Sequence, residues 1–318
     1  MSLLFLFVDG VGLGVDDPAV NPFAATATEN LDALAGGSWS APHLRSAAGQ
    51  LLASLDATLG IEGRPQSATG QSALISGRNA AALMGGHYGP WPGPTLKRFL
   101  DDDQLFQWAT SCFGEDAAAW ASAFPPGFFA ALESGRIRLN ALAYAARSCG
   151  VPLPELDAYR RGDAVAADLD GAYFASTGVE PPGGHRAGPA GAERAGARLA
   201  ELASRRPFTF LDVWITDRAG HRADLGEAAE LVAKLDAFVG GTLAARRPGT
   251  TVLLCSDHGN LEDLRHGRHT RARVPLLVEG PQAERFAGAA SLLDVAPVVR
   301  SLWASGGSGV PGEDEPTG

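Results

Sequence analysis

Hydrophobic positions along this chain fall into short unbroken runs rather than a strict alternation. Residues 3–8 read Leu-Leu-Phe-Leu-Phe-Val and stop at Asp9-Gly10. Residues 209–215 and 251–255 read the same way, with Asp217 and Asp257 just beyond them, and 274–278 is a fourth run. A run of this length, bounded by turn residues, predicts a strand buried on both faces, as in a parallel sheet. Between the runs, apolar residues recur with the helical period over 67–83, 190–204, 224–245 and 291–303. Strands alternating with helices predict an α/β fold, a mostly parallel sheet with helices on both faces. In such sheets ligands bind beyond the carboxyl ends of the strands. Asp9, Asp217 and Asp257, far apart in sequence, are therefore expected to meet at one edge.

Two Pro/Gly-rich joints, Pro90-Trp91-Pro92-Gly93-Pro94 and Pro181-Pro182-Gly183-Gly184, frame the middle of the chain. The stretch between them holds more than half of the aromatic residues, enough bulk for a small core of its own. The expected organisation is a discontinuous metal-binding α/β core over 1–90 and 185–305, an inserted cap over 91–184, and a flexible Gly/Ser/Pro/Glu-rich tail over 306–318.

Composition narrows the function classes. The chain has 318 residues, 45% of them hydrophobic and 19% charged, an ordinary globular balance with room for a sizeable core. A formal net charge of −10, offset by no Lys/Arg run, argues against nucleic acid or an anionic membrane as partner. Cys112, Cys149 and Cys255 form no C-x-x-C pair, which fits a reducing compartment. No stretch reaches the ~18 apolar residues of a membrane span, and the opening run is too short for a signal segment. A cytoplasmic location is expected. Oligomeric state leaves no mark in the sequence.

The candidate chemistry sits at the ends of the apolar runs. Ser256-Asp257-His258-Gly259-Asn260 follows one of them, and His269-Thr270 comes eleven residues after His258. Neighbouring Asp and His reach one cation only if the chain turns sharply, which Gly259 permits. Asp217 and His221, four residues apart, add a carboxylate and an imidazole, and Asp9 adds another carboxylate. Oxygen and imidazole ligands together suit Mn²⁺ or Zn²⁺ rather than Ca²⁺. Taken singly, each Asp reads as a helix cap and each His as a bonded polar group; their number at strand ends favours a metal centre. In Gln66-Ser67-Ala68-Thr69-Gly70-Gln71, Ser67 opens a helix where N–H groups and the dipole favour an anionic oxygen and a phosphate. Ser67 also reads as an N-cap. Beside a metal cluster its hydroxyl becomes a candidate nucleophile, with Thr69 as the competing hydroxyl.

These residues resemble the metalloenzyme core of the alkaline phosphatase superfamily, in the branch of cofactor-independent phosphoglycerate mutases and phosphopentomutases. The resemblance covers residues 3–14, 65–77 and 208–278. It rests on Asp257-His258-Gly259-Asn260 with His269-Thr270 and Val274-Pro275, on Asp217-x-x-x-His221, and on Asp9-Gly10. It implies an alkaline-phosphatase-like core and two divalent cations, Mn²⁺ or Zn²⁺. One would be held by Asp217, His221 and His269, the other by Asp9, Asp257, His258 and the nucleophile Ser67. The family's usual His after the motif Gly is replaced by Gln71.

The reaction expected is phosphoryl transfer on a small phosphorylated metabolite through a phosphoserine. Hydrolysis is favoured, since the compact middle segment offers few evident means of retaining an intermediate. A phosphomutase is the near alternative. A small-substrate phosphodiesterase and a non-catalytic metal-stabilised binding protein are the others. Among basic residues near the joints, Arg98 is the candidate substrate contact. His87, His185 and His266 carry no assigned role.

Overall fold

A computed structural model describes residues 2–37, 39, 45–47 and 49–306. Nine strands are described: β1 (Ser2–Val8), β2 (Arg45–Ala47), β3 (Gln50–Leu55), β4 (Ala118–Trp120), β5 (Ser122–Ala123), β6 (Val165–Ala166), β7 (Phe208–Val213), β8 (Thr250–Cys255) and β9 (Val274–Glu279). Seven of them form the central sheet in the order β2-β3-β9-β8-β1-β7-β4, and β5 and β6 make a separate pair. Strands β8, β1, β7 and β4 run parallel, as the apolar runs predict. β9 departs from the expectation: it lies antiparallel to β8 and to β3. An apolar run signals burial on both faces but carries no direction.

The central strand shows why the runs are unbroken. Leu3, Phe5 and Phe7 face one apolar cluster, while Leu4, Leu6 and Val8 face the other. Side chains alternate across the sheet, so a strand covered on both sides must be apolar at every position. The first face is covered by helices Ser67–Ser76, Pro94–Asp102, Leu105–Phe113, Ala141–Ser148 and Val295–Gly306. The second is covered by Glu29–Ala35, Pro189–Ala203 and Leu225–Ala245.

The helix expected over 67–83 is two, Ser67–Ser76 and Ala80–Met84. Gly77 ends the first in the left-handed conformation at φ 72°, and Asn79 caps the second by accepting from the Ala82 N–H. A residue at φ > 0 cannot continue a right-handed helix.

Packing divides the 91–184 segment expected as an inserted cap. Its first part joins the main core: β4 pairs with β7, and Leu96, Phe99, Phe106, Trp120 and Leu142 belong to the cluster under the sheet. Its later part has a small cluster of its own around Tyr159, Val179 and Phe174, with β5 and β6 beside it. The Val295–Gly306 helix takes in the first residue of the expected tail, and residues 307–318 lie outside the described residues. Cys112, Cys149 and Cys255 are free. No described helix is long and apolar enough to cross a membrane.

Candidate metal centre

Asp9 follows β1, and its neighbour Gly10 turns the chain at φ 67°. The turn is tight against the next element: a Cβ on Gly10 would lie 2.6 Å from Asp217 Oδ1. Asp217 and His221 occupy one face of helix Ile215–Arg222, which starts directly after β7. The Thr216 hydroxyl lies 2.6 Å from the Asp9 carbonyl and 2.7 Å from that of Val213, tying this helix to both strand ends.

Beyond β8, Ser256 Oγ accepts from the Val11 N–H at 2.9 Å and donates to the His258 carbonyl at 3.1 Å. Glu262, 1% exposed, accepts from the Gly12 and Asn260 N–H groups and from the Thr270 hydroxyl. A bridge between Gly259 and Thr270 sets His269 beside His258, their rings stacked with centroids 3.8 Å apart.

Six of the sequence candidates thus converge, and the seventh, Ser67, joins them. His221 Nε2 lies 3.2 Å from Asp217 Oδ2, and His269 Nε2 lies 3.5 Å from Asp217 Oδ1. His258 Nε2 lies 3.4 Å from Asp9 Oδ1, 3.6 Å from Asp257 Oδ2 and 3.0 Å from Ser67 Oγ. Asp217, His221 and His269 form one ligand-like group; Asp9, His258 and again Asp217 form a second, so Asp217 lies between the two. Asp257 reaches the second group through His258. Ser67 is the first residue of its helix rather than its cap, which is Gln66, so its hydroxyl is free to face the cluster. Thr69 Oγ1 instead bonds the Gln66 and Tyr88 carbonyls, at 3.1 and 3.3 Å, so Ser67 is the hydroxyl of this motif that meets His258.

The donor set fits cations. Nδ1 of His221, His258 and His269 faces a backbone carbonyl, of Gly267, Gly259 and Pro65 at 3.0, 3.4 and 2.9 Å. A carbonyl there selects the Nδ1–H tautomer and leaves Nε2 a bare lone pair. His221 and His269 then point two Nε2 lone pairs at each other across 3.3 Å, an arrangement that needs positive charge between them. Asp9 Oδ1 and Asp257 Oδ2 are buried without a hydrogen-bond partner among the described residues. Burial, and then the neighbouring carboxylates, push the pKa of Asp9 well up; burial and Asp217 do the same to Asp257. Burial pulls His258 down to about 4 and also lowers His269. Buried carboxylates and neutral imidazoles disfavoured in their own charge states are what a divalent cation relieves.

Several participants carried weaker sequence signals. Gln71, which stands where the family has His, donates to Asp9 Oδ2 at 3.4 Å and accepts from the Ala141 N–H at 3.2 Å. Asn260 Nδ2 donates to Asp217 Oδ1 at 2.7 Å. Asp212, 3% exposed within β7, takes the Asn140 amide on Oδ2 at 2.8 Å, and burial pushes it up to about 7. Its signal is a carboxylate inside an apolar strand, which costs too much free energy to be casual.

A pocket of about 430 Å³ opens on the cluster, lined among others by Asp9, Ser67, Asp217 and His221, with Arg138 and Arg218. Arg98 is not part of its lining. Leu96, Phe99 and Leu100 turn inward on the Pro94–Asp102 helix, which leaves Arg98 on the exposed face.

Parts of this chain are similar to known proteins. Residues 191–303 match the Metalloenzyme superfamily. A 94-residue stretch is 33% identical to the 2,3-bisphosphoglycerate-independent phosphoglycerate mutase of Yersinia pestis (strain Pestoides F), covering 27% of this chain and 18% of that one. A 63-residue stretch is 46% identical to the phosphopentomutase of Methylobacterium radiotolerans, covering 20% of this chain and 15% of the relative. The chain therefore spans only a small part of the curated relatives it matches. Among solved structures, the alkaline phosphatase from the Antarctic bacterium TAB5 aligns over 95% of this chain and 98% of its own, with TM-score 0.54 and 14% identity, a likeness of fold. The chain is similar to this superfamily and to two mutases over part of its length, and it shares a fold with an alkaline phosphatase.

Proposed function

We propose that this protein is a two-cation phosphoryl-transfer enzyme that hydrolyses monoesters of small phosphorylated metabolites, with Ser67 as nucleophile. The observation that carries the reading is the convergence of three Nε2 atoms, three carboxylates and the Ser67 hydroxyl in one cluster, of which Asp9, Ser67, Asp217 and His221 line the pocket above it. Asp217, His221 and His269 would hold one cation, and Asp9, Asp257, His258 and Ser67 the other, each Mn²⁺ or Zn²⁺ by ligand type. Bound there, the cations would polarise the phosphoryl oxygens and offset charge on the attacking and leaving oxygens.

The chain's own residues supply the rest. Ser67 Oγ forms the new bond to phosphorus while the bond to the substrate alcohol breaks, giving a phosphoserine; water then attacks it and releases phosphate. Ser67 sits at a helix start, where N–H groups favour the oxyanion. Asn260 and Gln71 hold Asp217 and Asp9 in place. Hydrolysis is favoured over retransfer because the pocket admits water: the His221 side chain is 47% exposed and Trp214 is 42% exposed. Free cysteines agree with a cytoplasmic setting.

The test is turnover of phosphorylated metabolites with Mn²⁺ or Zn²⁺, scored for free phosphate and for isomerised ester. Phosphate release that is lost on chelation supports the proposal. Isomerised product without phosphate would make it a mutase, and no turnover of any ester would sink it.

A further inference from the structure

The pocket over Ser67 does not end at its far wall. Asp212, Trp214, Arg218, Phe124 and Phe128 also line a second cavity of about 400 Å³. Its remaining wall includes Trp120, Tyr173 and Phe174, so the space next to the reacting end is bounded largely by aromatic rings. Phe124 and Phe128 are stacked on each other at 4.1 Å.

Most polar groups of this cavity are already engaged. Asp168 accepts from the backbone N–H groups of Gly171 and Tyr173, and Ser122 Oγ takes the Trp120 indole N–H. Asp212 differs: with Oδ2 on Asn140, its Oδ1 is buried and has no partner among the described residues. An acceptor desolvated in this way is stabilised by a proton of its own or by a donor brought from outside. An anionic alcohol portion would meet this carboxylate and be repelled. Arg218 is an exposed residue over the Trp214 ring, 5.5 Å from its centroid, and offers no buried counter-charge.

On the proposed phosphoryl-transfer reading, we infer that this second cavity receives a planar aromatic group carried by the substrate's alcohol, with Asp212 accepting a hydrogen bond from it. The substrate class is a phosphate monoester bearing a neutral, donor-carrying aromatic ring. A nucleobase or a plain aryl ring would supply that shape, and only the first supplies N–H donors.

Two ester pairs with like leaving groups test this: ribose 5-phosphate against guanosine 5′-monophosphate, and ethyl against 2-phenylethyl phosphate. Binding of ethylphosphonate and 2-phenylethylphosphonate to the cation-loaded protein by calorimetry gives a readout that needs no turnover. The ring is expected to improve kcat/KM and phosphonate affinity about tenfold or more. That ratio should fall toward one in Phe128→Ala and in Ala167→Trp, which fills the cavity from its rim. Asp212→Asn should lower the guanosine preference and spare the phenyl one. Equal affinity of the two phosphonates, or a ring preference that survives both cavity variants, would overturn the inference. A guanosine preference untouched by Asp212→Asn would remove Asp212 from it. Phosphonates that show the ring preference beside esters that are never turned over would sink the phosphoryl-transfer reading and leave the cavity standing.

Discussion

Ser67 faces His258 from the first position of its helix, so its hydroxyl is not needed to cap that helix. Ser67→Ala is therefore expected to cost about 1 kcal/mol of stability or less, while turnover falls by about 10⁴-fold or more. Phosphate labelling of the protein checks the assignment: label on the wild type and none on the variant. Asp212 gives a prediction of the other kind. An acid whose pKa rises on folding holds its proton better in the folded state, so its contribution is full below its ordinary 3.8 and is lost as the pH climbs through about 7. In chelator-treated protein, Asp212→Asn should gain Tm over the wild type steadily between these values; a Tm difference flat across that window would show that burial does not raise this carboxyl. At this scale, Asp257-His258-Gly259-Asn260 was legible because its ligands are neighbours in sequence. The partners of Asn140 and Gln71 were not, because each acts across space on a residue of another segment, Asp212 and Asp9.

Helix Ser67–Ser76 approaches the end of β8 so closely that a Cβ on Gly70 would lie 2.9 Å from the Asp257 carbonyl. Alanine favours a helix over glycine by about 1 kcal/mol, but a backbone atom cannot swing aside as a side chain can. Overpacking of that sort costs about 1–3 kcal/mol, so Gly70→Ala is expected to destabilise and to weaken Mn²⁺ binding by moving Ser67 off the cluster. Gly86, whose added Cβ would meet nothing within 4 Å, is the control, expected to change neither Tm nor Mn²⁺ affinity. The long buried strands were readable as apolar runs. The break at Gly77 and the reversal of β9 were not, since helical periodicity bridges one glycine and hydrophobicity has no polarity along the chain. The two-residue strands β5 and β6 offer too few positions for a period.

The whole molecule ties its middle segment to the sheet. Phe106 and Trp120 lie 5.4 and 5.5 Å from the Phe210 ring, and β4 covers the edge of β7. Replacing residues 91–184 with a short linker should yield insoluble protein by fractionation and circular dichroism, because it uncovers core and strand edge together. Cations should act on the same global scale. Added Mn²⁺ or Zn²⁺ at about 100 times its Kd raises stability by about 2.7 kcal/mol for one site, visible as a Tm that rises with metal and falls with chelator. The position of β1 between β7 and β8 also fixes an order of events during synthesis. Residues 3–8 of β1 are all apolar, and the partner strands leave the ribosome roughly 200 residues after them, about 10–40 s at about 5–20 residues per second. Through that interval the nascent chain carries an uncovered, hydrogen-bond-hungry segment, the kind that joins other chains. A ribosome paused before residue 208 would thus hold a sticky nascent chain, and the yield of active molecules would depend on translation speed and on chaperones that shelter the unpaired strand.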